Sequence, residues 1–282
     1  MKKYTIGIDI GGTNMKAVLF NGEKIVMDYS LATPKDTLDH LIIMIIALVK
    51  PLEEKAQALK VKIDGVGLSV AGTHDFARGI ITDSPNMLLL NGVELKKLVA
   101  EKLEMPVEMD NDGNCFVRAE VKLGAAKKHK NVYGIIISTG IGGGWWFKNR
   151  AYRGEHGGAG EPGAMIIDFG DLINLEDSYQ KLNQNNSLNL ATEAYRGDEL
   201  AQKAYEEIGK LLGVACANII NILDPEVIVI GGGATNSSDL FFSQIKKTIP
   251  GLVLNTLSRK TKVIKGKLGN DSGAIGAALL FN

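Results

Sequence analysis

The stretch Asp9-Ile10-Gly11-Gly12-Thr13-Asn14-Met15-Lys16 directly follows the apolar run Tyr4 to Ile8. It brings an acid, two glycines and a hydroxyl to the end of a predicted strand. Backbone N–H groups and a hydroxyl at such a turn can cradle phosphate oxygens, and the carboxylate can orient a hydrated Mg²⁺. A β-carbon on either glycine would hinder that approach. Asp9, Gly11, Gly12, Thr13, Asn14 and Lys16 are therefore candidate contacts of a nucleotide phosphate chain, with Asp9 the candidate metal ligand through water. Gly-Gly also suits an ordinary hairpin turn, so this stretch alone leaves both readings open. Two further glycine clusters stand at strand ends, Thr139-Gly140-Ile141-Gly142-Gly143-Gly144 and Gly231-Gly232-Gly233-Ala234. The former would close over the phosphates from the other side, through Thr139, Gly140 and Gly142. The latter, through Gly232 and Gly233, would let a flat adenine lie against backbone or serve a helix N-terminal anion site. Neither a GxxxxGK[ST] loop nor a strand–GxGxxG–helix unit is present.

Phosphoryl transfer to an alcohol asks for positioning and for a carboxylate that accepts the hydroxyl proton. Between the first two glycine clusters lies Glu108-Met109-Asp110-Asn111-Asp112-Gly113-Asn114. Asp112, at a predicted helix start, suits the proton acceptor, and Asn111 can grip a sugar hydroxyl. The same acids suit the N-cap of the helix that follows, and the residues leave both roles open. Further groups able to pair with vicinal hydroxyls are Pro85-Asn86, the segment from Gly154 to Glu161, and Glu176. Gly67-Leu68-Ser69-Val70-Ala71 lacks the second glycine of a GxSxG elbow and has no downstream Asp/His pair, which argues against a hydrolase.

The elements that must hold these residues alternate along the chain. Val- and Ile-rich runs predict strands at Tyr4 to Ile8, Lys16 to Phe20, Ile25 to Tyr29, Gly65 to Val70, Val132 to Ser138 and Val227 to Ile230. Helical patterns fall at about 35–56, 94–103, 114–124 and 198–222. Tight turns such as Asn21-Gly22 make the first three strands an antiparallel meander, whereas later strands alternate with helices and imply parallel pairing. The theme of strand, Gly-rich turn and strand occurs twice, at 4–20 and 132–145, which argues for two related α/β lobes with a cleft between them. The expected division is 1–115 and 116–271, with a small-residue helix at 272–282 returning to the first lobe. Asp168 to Asp198, polar and Asn-rich, reads as a loop with a short helix. With 32 basic and 32 acidic residues there is no net field to recruit nucleic acid or an anionic membrane. Two separated cysteines exclude a disulfide framework and fit a reducing compartment. The strand begins within four residues of the start and the longest apolar stretch, Leu41 to Val49, is too short to cross a bilayer, so a cytoplasmic protein is expected.

Taken in order, the 9–14 turn, Ser84-Pro85-Asn86, the DNDGN run at 110–114, the 139–144 loop, Gly158-Ala159-Gly160-Glu161 and Asp224-Pro225 leading to Gly231-Gly232-Gly233 resemble the ROK family (repressor, open reading frame, kinase) of the actin-like ATPase superfamily. The resemblance covers nearly the whole chain. It implies two ribonuclease H-like lobes, each with a mixed sheet, ATP·Mg²⁺ in the cleft, and transfer of the γ-phosphate to a hexose hydroxyl, usually O6. By position Asp112 resembles the general base, and Gly72, Asn86, Asn111, Asp112, Glu161 and Glu176 the sugar-binding set. The resemblance also implies a homodimer. Two departures stand out. The position of a family His that touches the sugar and ligates zinc is Ala164, and the following CxCGxxGCxE cluster is missing, so no zinc is expected. Losing that His leaves the reducing end of the sugar with more room, as in zinc-less members resembling N-acetylmannosamine or β-glucoside kinases. From another class, the resemblance admits a sugar-responsive repressor, disfavoured because Asp9 stands so near the start, and a catalytically silent sugar-binding paralogue.

Overall fold

The computed structural model describes residues 3–84, 86–184 and 186–281. Pro85 of the expected sugar-contact triplet and Asn282 of the expected last helix lie outside the described residues. The chain runs β1 (Tyr4–Ile10), β2 (Asn14–Phe20), β3 (Ile25–Ala32), α1 (Leu38–Ala58), β4 (Ile63–Val70), β5 (Thr73–Asp75), β6 (Ile80–Asp83), α2 (Leu95–Leu103), β7 (Val107–Asn111) and α3 (Asp112–Lys122). It continues through β8 (Val132–Ile137), β9 (Ile141–Phe147), β10 (Arg150–Tyr152), β11 (Ile166–Asp168), β12 (Ile173–Asn174), α4 (Leu175–Asn183), α5 (Ser187–Tyr195) and α6 (Glu199–Leu223). The last elements are β13 (Val227–Gly231), α7 (Phe242–Leu252), β14 (Lys262–Lys265) and α8 (Ser272–Ala278).

Two five-stranded sheets repeat one plan, with orders β3-β2-β1-β4-β7 and β10-β9-β8-β13-β14. In each, the first three strands form the antiparallel meander and the next two add in parallel. This is the ribonuclease H-like pair of lobes. The twice-occurring sequence theme is the β1–β2 hairpin in one lobe and the β8–β9 hairpin in the other. Separate apolar cores lie against the two sheets, one built on Ile6, Ile8, Leu41 and Leu68, the other on Ile135, Leu212, Ile228 and Ile245. Burial on both faces explains why β4 and β13 read as apolar runs rather than as alternating patterns.

Two helices fill the seam. α8 lies on β1, β2 and β4 of the first sheet, while α3 packs on β8 and β9 and against α8. These approaches need glycine: a β-carbon at Gly67 would stand 1.9 Å from the Ala277 carbonyl oxygen, and one at Gly113 1.8 Å from that of Gly143. Small residues here reflect close packing of the seam. The expected division at 115 falls inside α3, and we propose instead the step from Asn111 to Asp112, where a strand of the first sheet becomes a helix on the second.

The polar 168–198 stretch holds more structure than its composition suggests, namely α4 and α5. Its asparagines act as helix caps: Asn174 Oδ1 accepts from the Asp177 N–H (2.7 Å) and Asn186 Oδ1 from the Asn189 N–H (3.1 Å). β7 escaped the sequence reading because its acids mask a strand whose Met109 and Asp110 are both buried.

Candidate active site

β7 ends where α3 begins, and Asn111 makes the junction. Its Oδ1 accepts from the backbone N–H groups of Gly113 (2.7 Å) and Asn114 (3.3 Å), and its Nδ2 donates to the Gly72 carbonyl (2.9 Å). The helix cap that the sequence offered to Asp110 or Asp112 is thus taken by Asn111, and the Asp112 carboxylate is released from that duty. Asp112 Oδ1 keeps one bond, from its neighbour Gly113 N–H (2.9 Å). Burial at the head of α3 raises its pKa. Asp110 points the other way and is fully buried, paired with Arg118 (2.7 Å) and Arg153 (2.9 Å), and these guanidiniums hold its pKa below the usual range despite burial. Neighbouring acids therefore have opposite environments. Asp110 is a permanent anion that fastens the seam, and Asp112 faces the opening.

That opening is a cavity of about 350 Å³ between the lobes, lined by Gly72, Asn86, Asn111, Asp112, Gly140, Gly142, Glu161, Ala164 and Glu176 among others. The six residues of the expected sugar-binding set, Gly72, Asn86, Asn111, Asp112, Glu161 and Glu176, all line it, whereas 154–160 do not. Gly72 takes φ +115, and a β-carbon there would meet the Asp83 carbonyl oxygen at 2.2 Å. Glu161 is pushed up to about 7, first by burial and then by Asp112 and Glu176. Glu176 is partly committed: its Oε2 accepts the Ile141 N–H (2.6 Å), so it props the 139–144 loop and leaves Oε1 for the cavity. Asp83, Thr73, Asn174 and Asp177 also line the space, and no spacing in the sequence pointed to them.

A second cavity of about 380 Å³ shares Ser138 with the first and is lined by Thr139, Gln180, Asn183, Asn186, Gly233 and Ala234 among others. Gly232 turns the chain with φ +87, and space for a β-carbon is open at Gly233. Asn183 is buried, and its Oδ1 has no hydrogen-bond partner. Gln180 and Asn183, both on α4, were missed because the sequence reading made this segment a loop with a short helix and gave the helix no place.

The β1–β2 turn lines neither cavity. Gly12 stands beside Asn86, its would-be β-carbon 3.5 Å from that of Asn86, and Thr13 and Asn14 are exposed. Asp9 lies deeper, accepts from Ser69 Oγ (2.6 Å), and is raised to about 6 by burial, with Asp112 adding to the shift. Lys16 pairs with Asp28 (3.1 Å) and Asp271, so the ammonium expected to meet phosphate is engaged beside the start of α8. The donor set suits a hydrated magnesium nucleotide: a desolvated carboxylate, two glycine turns, and a cavity lined by an amide with an unpartnered oxygen and by an open glycine.

The ROK family model matches residues 5–178 and 173–282. The chain belongs to the ROK family. This ROK protein is 30% identical to the N-acetyl-D-glucosamine kinase of Histophilus somni, over 98% of each chain. It is 28% identical to the xylose repressor of Bacillus subtilis, over 97% of its own length and 75% of the repressor's. Among solved structures, a ROK family glucokinase from Streptomyces griseus in complex with glucose and AMPPNP superposes with a TM-score of 0.83 at 25% identity, over 98% of both chains. The family thus places this fold with the sugar kinases of the actin-like ATPase superfamily, and includes repressors as well as enzymes. Among the described residues no helix is long and apolar enough to cross a membrane.

Proposed function

We propose that this ROK protein is an ATP-dependent sugar kinase that phosphorylates a hexose hydroxyl, O6. The observation that carries the reading is Asp112, freed from capping by Asn111 and set in one cavity with Gly72, Asn86, Asn111, Glu161 and Glu176. Asn111 Nδ2 has a second proton for a hydroxyl, and Glu161 and the free Oε1 of Glu176 can accept from others. Asp112 then takes the proton of the hydroxyl as its oxygen attacks phosphorus; a carboxylate of raised pKa is a stronger base for that transfer. We assign the nucleoside to the cavity beside Gly233 and Asn183, and the phosphates to the backbone at Gly11, Gly12 and Thr13 and at Thr139, Gly140 and Gly142. Asp9 would hold a hydrated Mg²⁺, which when bound offsets charge on the phosphate oxygens. Closure of the lobes would exclude water and limit wasteful hydrolysis.

Ala164, exposed on the cavity wall, carries only a methyl group, so hexosamines or sugars substituted on O1 fit this reading, and no zinc is part of it. Both cysteines are buried and free, in keeping with a cytoplasmic setting. The repressors at comparable identity keep a sugar-sensing role in view. ADP release across glucose, mannose, N-acetylglucosamine, N-acetylmannosamine and simple β-glucosides decides between these readings. Asp112→Asn should lower kcat by roughly 10²–10⁴-fold while keeping much of the sugar affinity. No ADP release with any sugar, or an Asp112→Asn enzyme at the parental rate, would overturn the assignment.

A further inference from the structure

On the other side of Asp110 from the cleft, two adjoining cavities of about 370 and 240 Å³ share Arg118, Arg150 and Arg153. Lys122 at the rim of the smaller one brings the cations to four, of which Arg118 and Arg153 are paired with the buried carboxylate of Asp110. Glu108, also at that rim, is already matched by Lys96 (2.8 Å). Among the described residues Arg150 has no carboxylate within ion-pair distance, and Lys122 rests over the Trp146 ring, 5.6 Å from its centroid. In a chain with no net charge this local excess is a distinct feature, and it is concave rather than spread over a convex face. Arg118 and Arg153 are pre-ordered. Both are pinned by Asp110, and Arg153 also lies 4.0 Å from the centroid of the Phe76 ring, so little side-chain freedom remains to be lost on binding.

Planar guanidiniums converging on one recess match a tetrahedral oxyanion through paired, charge-assisted hydrogen bonds. We propose that this recess is a second ligand site that binds a phosphomonoester dianion, independent of the sugar and nucleotide seats. Tyr152 lines the larger cavity and is 42% exposed, which gives an attached sugar ring an aromatic face to lie on. Leu279 and Leu280 bring the first lobe to the smaller cavity, so an occupant would touch both sides of the seam. Arg118 and Arg153 also grip Asp110, two residues before Asp112, and Arg153 begins the segment that carries Glu161. Occupancy is therefore coupled to the catalytic wall, a regulatory position. The regulatory meaning rests on the kinase reading; the binding does not.

Binding is measured by calorimetry on the whole chain, with saturating hexose present to fill the cleft, using inorganic phosphate and glucose 6-phosphate as separate probes. Binding of either probe that weakens at least tenfold in Arg150→Glu, and stays at the parental Kd in Lys148→Glu on the same hairpin, supports the site. The tighter probe identifies its source. Arg150 is exposed and outside both cores, so its reversal leaves the fold intact, which the unchanged circular dichroism would verify. Parental affinity in Arg150→Glu, equal weakening in Lys148→Glu, or binding of neither probe up to 10 mM (about −2.7 kcal/mol) would overturn the proposal. None of these results depends on whether the protein turns over ATP.

Discussion

Glu161 offers a test in which function and stability pull in opposite directions. Its carboxyl is moved from 4.5 to about 7 by burial and by the charges of Asp112 and Glu176. The unfolded chain releases this proton near 4.5, whereas the folded chain keeps it to about 7. Between those values the unfolded state binds fewer protons, so stability falls as pH rises; below them none of the loss is present, and above them all of it is. At about 1.36 kcal/mol per pKa unit the full loss is roughly 3 kcal/mol, and solvent at the cleft mouth reduces it to about 2. Glu161→Gln removes the ionisable group while keeping its shape. The variant should match the parent to within about 1 kcal/mol at pH 5 and exceed it by roughly 2 kcal/mol at pH 8. Urea unfolding followed by tryptophan fluorescence reads this directly, because Trp145 and Trp146, the only tryptophans, sit together on β9 of the same lobe. With a slope of about 2 kcal/mol per molar, the midpoint separation should widen by roughly 1 M between the two pH values. The same variant should bind sugar more weakly. A separation that does not change with pH, or a parent more stable than the variant at pH 8, would refute the electrostatic account of the cavity.

Gly233→Val should leave the thermal midpoint within about 2 °C, because nothing lies within 4 Å of the added β-carbon. It should raise KM for ATP by roughly tenfold or more, about 1.4 kcal/mol, with KM for sugar unchanged, and an unaltered nucleotide KM would remove the base from that cavity. Glu120, fully buried in α3, accepts from the backbone N–H groups of Ala125 (2.7 Å), Lys267 (2.9 Å) and Leu268 (2.9 Å), tying the approach to α8 against α3. Glu120→Ala should cost about 2–4 kcal/mol in urea unfolding by leaving these donors unpaired, and Glu120→Gln should recover part of it. An alanine variant as stable as the parent would show that the latch contributes nothing.

Much of this site was legible because its parts are local. A glycine turn between two apolar strands announces itself within a dozen residues, and so did the hairpins at both lobes. Asn111 and Asp112 were found for the same reason, but which residue caps α3 was not legible, since the choice depends on Gly72 standing where it can receive Asn111 Nδ2. Lys16 shows the limit most clearly. Its type and place suggest a phosphate ligand, yet its partner Asp271 lies 255 residues away and arrives only when α8 returns to the first sheet. Glu176 is similar: the sequence shows a carboxylate, and the fold spends one of its oxygens on the Ile141 amide. The α4 wall of the second cavity was hidden because asparagines, which favour turns in isolation, serve as caps once a helix has something to pack on.

The carboxylates of the cleft also explain each other. Asp9 and Glu161 are raised mainly by burial, and each feels Asp112 as a further negative charge. These carboxylates therefore resist full ionisation together, and each added negative charge makes the remaining acids more basic. Hydroxyl donors and a hydrated cation entering the cleft would relieve that strain by satisfying the carboxylates they touch. Asp110, two residues before Asp112, is exempt because Arg118 and Arg153 neutralise it. One short run of sequence thus contains an acid that fixes the two lobes at any physiological pH and an acid whose ionisation depends on what the lobes enclose, and it is the arginine pair, not the aspartates themselves, that separates the two roles.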